Sequence, residues 1–148
     1  MADILNALIE EGSTTALTTK VTPDGLWQKA MEGGTKAAWH VAIDDSGLVQ
    51  GFQWIAPYPS LPPDAADIAT FARIGKTGMG IGSKLFEASK AKAKDLGYTW
   101  INPNIRSDNI SGLRYYSSVG FYDYEKIEAY QLGYGRIVDK TLKRYDLL

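Results

Sequence analysis

An α/β domain with a mixed central sheet flanked by helices is the fold class this sequence predicts. Three observations carry it. Segments with apolar residues three and four apart alternate with short β-branched and aromatic runs, in the order α-α-β-β-β-α-β-α-β-β. Glycine, proline, aspartate or asparagine marks nearly every junction between them. A glycine-rich stretch, Arg73 to Phe86, stands between a strand-like run and a long amphipathic segment. No internal repeat, linker or low-complexity tract interrupts the order, so residues 1–148 read as one domain.

Ala2 to Glu11 has Ile4, Leu5, Leu8 and Ile9 on one helical face, with Gly12 as its stop. A Thr-rich loop follows over 13–20. Pro23 suits a first helical turn, and Leu26, Trp27, Ala30 and Met31 continue at helical spacing to Gly33-Gly34. Ala37–Asp44 and Leu48–Ala56 are strands joined by the turn residues Asp45-Ser-Gly47, a hairpin. Residues 57–64 hold too many prolines for a central strand. Ala65–Arg73 is the next strand. Ile81 to Leu96 is a helix with Ile81, Leu85, Ala88 and Leu96 inward, ended by Gly97. Tyr98–Asn102 is a short strand whose pairing Pro103 terminates, and Asn109–Ser118 is a helix capped by Asp108 or Asn109. Phe121–Gln131 and Ile137–Leu147 are the last two strands.

Composition excludes several classes. Hydrophobic content of 45% and charged content of 22% are those of an ordinary globular chain. A net charge of −1 gives no reason for a nucleic-acid or anionic-membrane partner. With no cysteine there is no disulfide framework, thiolate metal site or Cys nucleophile. No apolar run approaches the ~18 residues of a membrane span, and no signal peptide is read, so the expected location is cytoplasmic. The single histidine, His40, lies between Trp39 and Val41 on a strand and reads as structural.

Glycines at 75, 78, 80 and 82 let the chain turn sharply and approach a ligand closely. The helix opening at Ile81 leaves its first N–H groups without intrahelical acceptors, at the positive end of the dipole, which is a phosphate-binding construction. A P-loop fails here, because G-x-x-x-x-G-K-T would need glycine at position 70, which is Thr70. A dinucleotide fingerprint fails on spacing and on its mid-chain position. The third candidate is the pyrophosphate loop of acetyl-CoA-dependent N-acetyltransferases. A second block, Asn109-Ile-Ser-Gly-Leu-Arg-Tyr-Tyr-Ser-Ser-Val-Gly-Phe121, resembles the N-x-x-A-x-x-L-Y-x-x-x-G-F signature of the GNAT superfamily. With both blocks in order, the chain resembles that superfamily over roughly residues 3–145, and its phosphinothricin-acetyltransferase-like branch most.

The resemblance implies a GNAT-like mixed sheet, here lacking the usual first strand, because the first helix begins almost at Met1. An exposed edge on the 37–44 strand is then expected, favouring a homodimer. The resemblance also implies that backbone groups of Gly78, Met79, Gly80, Ile81, Gly82 and Ser83 hold the phosphates of acetyl-CoA. Thr77 departs from the Arg or Gln that opens the family's loop; Lys76 and Lys84 are the available cations. Main-chain groups of Phe71, Ala72 and Arg73 would pair with the pantetheine as a strand does, and Asn109 and Ser111 would contact the cofactor, although Asn109 equally suits a helix cap.

Tyr116, four residues before Gly120, stands where the family keeps its proton-donating tyrosine; Tyr115 is the neighbouring alternative, about 100° round the helix. A phenol with a pKa of about 10 stays protonated at neutral pH and can give its proton to a departing thiolate. Asp67 aligns with the family's acidic residue and is the candidate base, directly or through a water; a solvated strand-end carboxylate is the plain alternative. Aromatic walls for the acceptor would come from Trp27, Trp54, Tyr58, Tyr122, Tyr124 and Tyr134. The expected activity is acetyl transfer to a small primary amine or amino acid-like acceptor, by direct attack in a ternary complex and without a metal. The rivals are a non-catalytic acyl-CoA-binding domain and a protein N-acetyltransferase.

Overall fold

The computed structural model describes residues 1–76 and 79–148. Their helices are α1 (Ala2–Glu11), α2 (Pro23–Glu32), α3 (Ile81–Asp95) and α4 (Ile110–Ser118), with a 3₁₀ turn at Gly34–Lys36. The strands are β1 (Ala38–Ile43), β2 (Val49–Ala56), β3 (Ala65–Ala72), β4 (Trp100–Arg106), β5 (Tyr122–Gln131) and β6 (Ile137–Asp146). They form one sheet in the order β1-β2-β3-β4-β6-β5, antiparallel except for the central β3–β4 pair. The predicted order and most boundaries are reproduced.

Local chemistry accounts for the helix ends. Gly12 closes α1 in the left-handed conformation at φ 78°, a region that costs a side chain but not glycine. Thr22 caps α2 by accepting from the Gly25 N–H, with Pro23 at the first helical position. Asn109, rather than Asp108, caps α4 by accepting from the Gly112 N–H at 2.9 Å.

Both faces of the sheet are covered. Ile55, Ile68, Phe86, Ala93, Ile101, Tyr116 and Phe121 build one core beneath α3 and α4. Ile4, Leu5, Leu26, Phe52, Trp54 and Phe71 build the other, beneath α1 and α2. Covering on both sides explains why β2 is buried along nearly its whole length. His40 points between layers, its Nδ1 3.1 Å from the buried Ser89 hydroxyl, the structural role expected of it.

Three expectations are corrected. α3 turns Leu85, Phe86, Ser89 and Ala93 inward, and Ala88 is exposed. A small side chain at 88 is neutral to either face, whereas Phe86 must be covered. On α2 only Leu26 is buried; Trp27 and Met31 are 67% and 56% exposed. Finally, Pro103 does not end β4. The strand continues to Arg106, and the loss shows instead in its pairing with β6, whose register skips residues 102 and 103 and resumes at Asn104. A proline has no N–H to give, but neighbours on both sides hold the strand past one missing rung.

β1 forms one edge of the sheet, with Val41 and Ile43 exposed and no charged side chain along 38–43.

Candidate active site

β3 and β4 pair only from Ala65/Trp100 to Ile68/Pro103, and beyond this the two central strands part. The pairing of β3 with β2 decides which backbone groups face the gap. The Arg73 N–H donates to the Gln50 carbonyl at 2.8 Å, so residues 67, 69, 71 and 73 turn their main-chain groups to β2. Thr70 and Ala72 therefore turn theirs to the gap. Phe71 and Arg73 are corrected as backbone ligands: the ladder to β2 uses both. Phe71 places its ring in the aromatic core, and the Arg73 guanidinium donates to the Val49 carbonyl and Asp3.

At the far end of the gap α3 begins. Its N-cap is Gly80, at φ 76°, and among the described residues no side chain caps the first turn. The N–H groups there are turned to a groove lined by Gly80, Ile81, Gly82, Ser83 and Lys76. Met79 is exposed. Gly78, and Thr77 beside it, lie outside the described residues. Gly82 has no room for a side chain, because an added Cβ would fall 2.5 Å from the Tyr115 ring.

Tyr116 reaches the gap from α4. The residue is 5% exposed, and its hydroxyl lies 2.7 Å from the Thr70 Oγ1, just past the last β3–β4 pair. Burial pushes its phenol well above the ordinary tyrosine value, and the Thr70 hydrogen bond acts the other way. Tyr115, the alternative, donates to the Gly82 carbonyl at 2.7 Å, so its proton is engaged.

On the opposite face of the sheet the same groove, about 1200 Å³ in volume, reaches Asp67. Its carboxyl is half-buried between β2 and β4, and this burial pushes it up to about 7 despite a hydrogen bond to Asn102 and the charges of Lys29 and Lys140, all of which lower it. Tyr124 donates to the Asn102 Oδ1, leaving the amide N–H₂ to turn toward Asp67. A carboxylate that titrates near neutrality is matched to taking a proton from a reacting group. Lys140 is 8% exposed and has no hydrogen bond or ion pair among the described residues; its ammonium sits 3.4 Å from the centre of the Tyr130 ring. Burial lowers its pKa below the ordinary lysine value, against the pull of Asp67.

No family model and no curated protein matches this sequence. Solved structures do match in shape. A GNAT superfamily phosphinothricin acetyltransferase from Sinorhizobium meliloti, in complex with AcCoA, superposes with a TM-score of 0.87 at 18% identity, over 98% of this chain and 80% of that one. The chain has the GNAT fold. An N-acetyltransferase from Staphylococcus aureus Mu50 agrees at a TM-score of 0.86, 18% identity and 99% and 90% coverage. A ribosomal-protein-alanine N-acetyltransferase from Brucella melitensis agrees at 0.85, 17% and 98% and 91%.

On this GNAT fold the remaining expected site residues divide. Asn109 and Ser111 line the groove, but the Asn109 amide is occupied: Oδ1 accepts from Gly112 and Ser111, and Nδ2 donates to the Thr14 carbonyl. Helix capping is thus the role the structure displays for Asn109. Arg106, buried at the end of β4, donates to the Gly12 and Thr15 carbonyls and pairs with Asp108, pinning the 12–15 loop against the groove. Of the predicted aromatic walls, Trp54 and Tyr58 line the groove; Trp27, Tyr122, Tyr124 and Tyr134 do not, and Trp39 and Tyr130 do. Tyr130 gets there through a bulge in β5 at which Ala129 adopts φ 53°. Alternation alone could not have found it.

Proposed function

We propose that this chain is an acetyl-CoA-dependent N-acetyltransferase acting on a small amine by direct attack in a ternary complex. One observation carries the reading: a single groove joins the uncapped first turn of α3, the gap between β3 and β4, the Tyr116 hydroxyl and the Asp67 carboxyl. The fit to acetyl-CoA rests on donors at that helix end without partners among the described residues, and on the strand-like edge that Thr70 and Ala72 offer. The absence of cysteine from the chain supports direct attack over an acetyl-cysteine intermediate.

When bound, acetyl-CoA supplies an acetyl thioester, whose carbonyl carbon gains the acceptor nitrogen as its bond to sulfur breaks. Asp67 takes the proton that the attacking amine loses. Tyr116 gives its own proton to the departing sulfur, so CoA leaves as the thiol. The N–H of Thr70 or Ala72 polarises the carbonyl from the β3 side.

Between a simple primary amine and an amino acid-like acceptor, Lys140 favours the second. A buried ammonium with no ion pair among the described residues is costly, and an acceptor carboxylate beside Lys140, with Lys29 near, would relieve that cost. Lys140→Met should raise KM for an amino acid-like acceptor by about tenfold or more and leave KM for a simple alkylamine nearly unchanged. Equal effects on both acceptors would remove the assignment.

The test of the reading itself is release of free thiol from acetyl-CoA over a panel of amines. CoA binding without acceptor-dependent release would replace it with an acyl-CoA-binding domain. The uncharged β1 edge supports pairing with a second copy of the chain, and sedimentation as a monomer at micromolar concentration would withdraw that support.

A further inference from the structure

Gln53 is fully buried at the centre of β2 and forms no part of the transfer described above. Its side chain nonetheless ends in a directed series of hydrogen bonds. Tyr115 donates its only hydroxyl hydrogen to the Gly82 carbonyl at 2.7 Å, so its oxygen is left to accept. The Gln53 Nε2 lies 3.1 Å from that oxygen and 2.8 Å from the Thr70 Oγ1. The amide must present its N–H₂ to Tyr115, and the same nitrogen then donates to Thr70. Turning the amide over would set its oxygen against a Tyr115 oxygen whose hydrogen is already used, and would strand two buried donors in place of one buried acceptor, Oε1. Thr70, accepting from Gln53, keeps its own hydrogen to give. Among the described residues its acceptor is the Tyr116 Oη, 2.7 Å away.

We infer that Gly82, Tyr115, Gln53 and Thr70 form a hydrogen-bond relay of fixed polarity, diverging from the Gln53 amide, that aims the Tyr116 hydroxyl hydrogen out of the protein and into the groove. Thr70 and Gln53 are positioning residues in this scheme. Their side chains touch neither acceptor nor thioester, and act by settling which way one hydroxyl points. The arrangement also serves the phenolate left after proton transfer. That anion forms in a buried place, and the Thr70 hydroxyl already donates to it, so no group has to reorient at the moment of reaction. The relay begins at a carbonyl in the first turn of α3, so the helix end read as the phosphate site and the proton donor belong to one rigid network. The inference rests on the acetyltransferase reading for its use, but not for its geometry.

Two measurements on the full chain test it separately from that reading. In kinetics, Thr70→Val should lower kcat by about tenfold or more with little change in KM for acetyl-CoA, and Thr70→Ser should restore most of the loss. Made in a Tyr116→Phe background, Thr70→Val should cost nothing further. A loss equal in both backgrounds, or shared by Thr70→Ser, overturns the relay, since it would reflect packing alone. The second measurement needs no turnover. In a chain carrying ¹³Cζ-labelled tyrosine, the Tyr116 signal, assigned by its absence in Tyr116→Phe, should move in Thr70→Val and hold its place in Thr70→Ser. A signal that stays put in Thr70→Val overturns the relay even if the enzyme is active. A signal that moves in a chain acetylating no amine keeps the relay and counts against the acetyltransferase reading instead.

Discussion

Tyr116→Phe should lower kcat by ~10²-fold or more while the protein stays folded and KM for acetyl-CoA changes little. The ring remains, so its edge contact with Phe121, centroids 5.1 Å apart, and its tilted contact with Tyr115, at 4.8 Å, are retained. What is lost is one hydroxyl, its bond to Thr70 and the proton it would give. The lost bond is expected to cost about 1 kcal/mol of stability, too little to unfold a domain of this size. A fall in kcat without a fall in thermal midpoint of more than a few degrees therefore assigns the effect to chemistry. An unchanged kcat would leave the groove without its acid, since Tyr115 has its proton engaged elsewhere.

Asp67→Asn should have two effects of opposite sign. As the base, Asp67 must be ionised, and burial has raised it to about 7. The kcat/KM of the native chain should thus fall about tenfold per pH unit below that value, and the asparagine substitution should abolish this limb along with ~10²-fold or more of the rate. Stability runs the other way. A carboxyl raised on folding favours the protonated native state, so its contribution is whole below the ordinary carboxylate range and is lost as pH rises through about 7. Above that, the ionised group is a net cost. The asparagine variant should be more stable than the native chain at pH 8, by about 1–2 kcal/mol after allowing for partial exposure, with the difference shrinking toward pH 5. Urea unfolding at the two pH values reads this directly. A variant less stable at pH 8 would mean that Asp67 is held by partners more than it is penalised by burial.

The order of elements could be read from periodicity because each one has its own apolar pattern and its own stop. The glycine-rich turn ahead of α3 and the place of Tyr116 could be read because each belongs to a local motif, with its residues at fixed offsets within one block. Thr70, Gln53 and Lys140 could not. Gln53 sits in β2, which is covered on both faces, and a polar residue in a buried strand does not announce what it will meet. Its partners come from β3 and α4, 17 and 62 residues away. Lys140 looks in sequence like any alternating strand lysine, and only the sheet order brings it beside Asp67. Phe71 and Arg73 were misplaced for a related reason. Which alternate residues of a strand face a gap depends on which neighbour it pairs with, and that is a fact of register rather than composition.

The β5 bulge leaves the Tyr130 wall of the groove resting on a conformation that alanine tolerates poorly, about 1 kcal/mol above its alternatives. Sliding that strand by one position would send Tyr130 to the other surface of the sheet and uncover Lys140, with nothing on β3, α3 or α4 disturbed. On the acetyltransferase reading, a lineage built on this scaffold can therefore exchange its acceptor by a single insertion or deletion in one rim hairpin, while inheriting its donor-handling half unaltered.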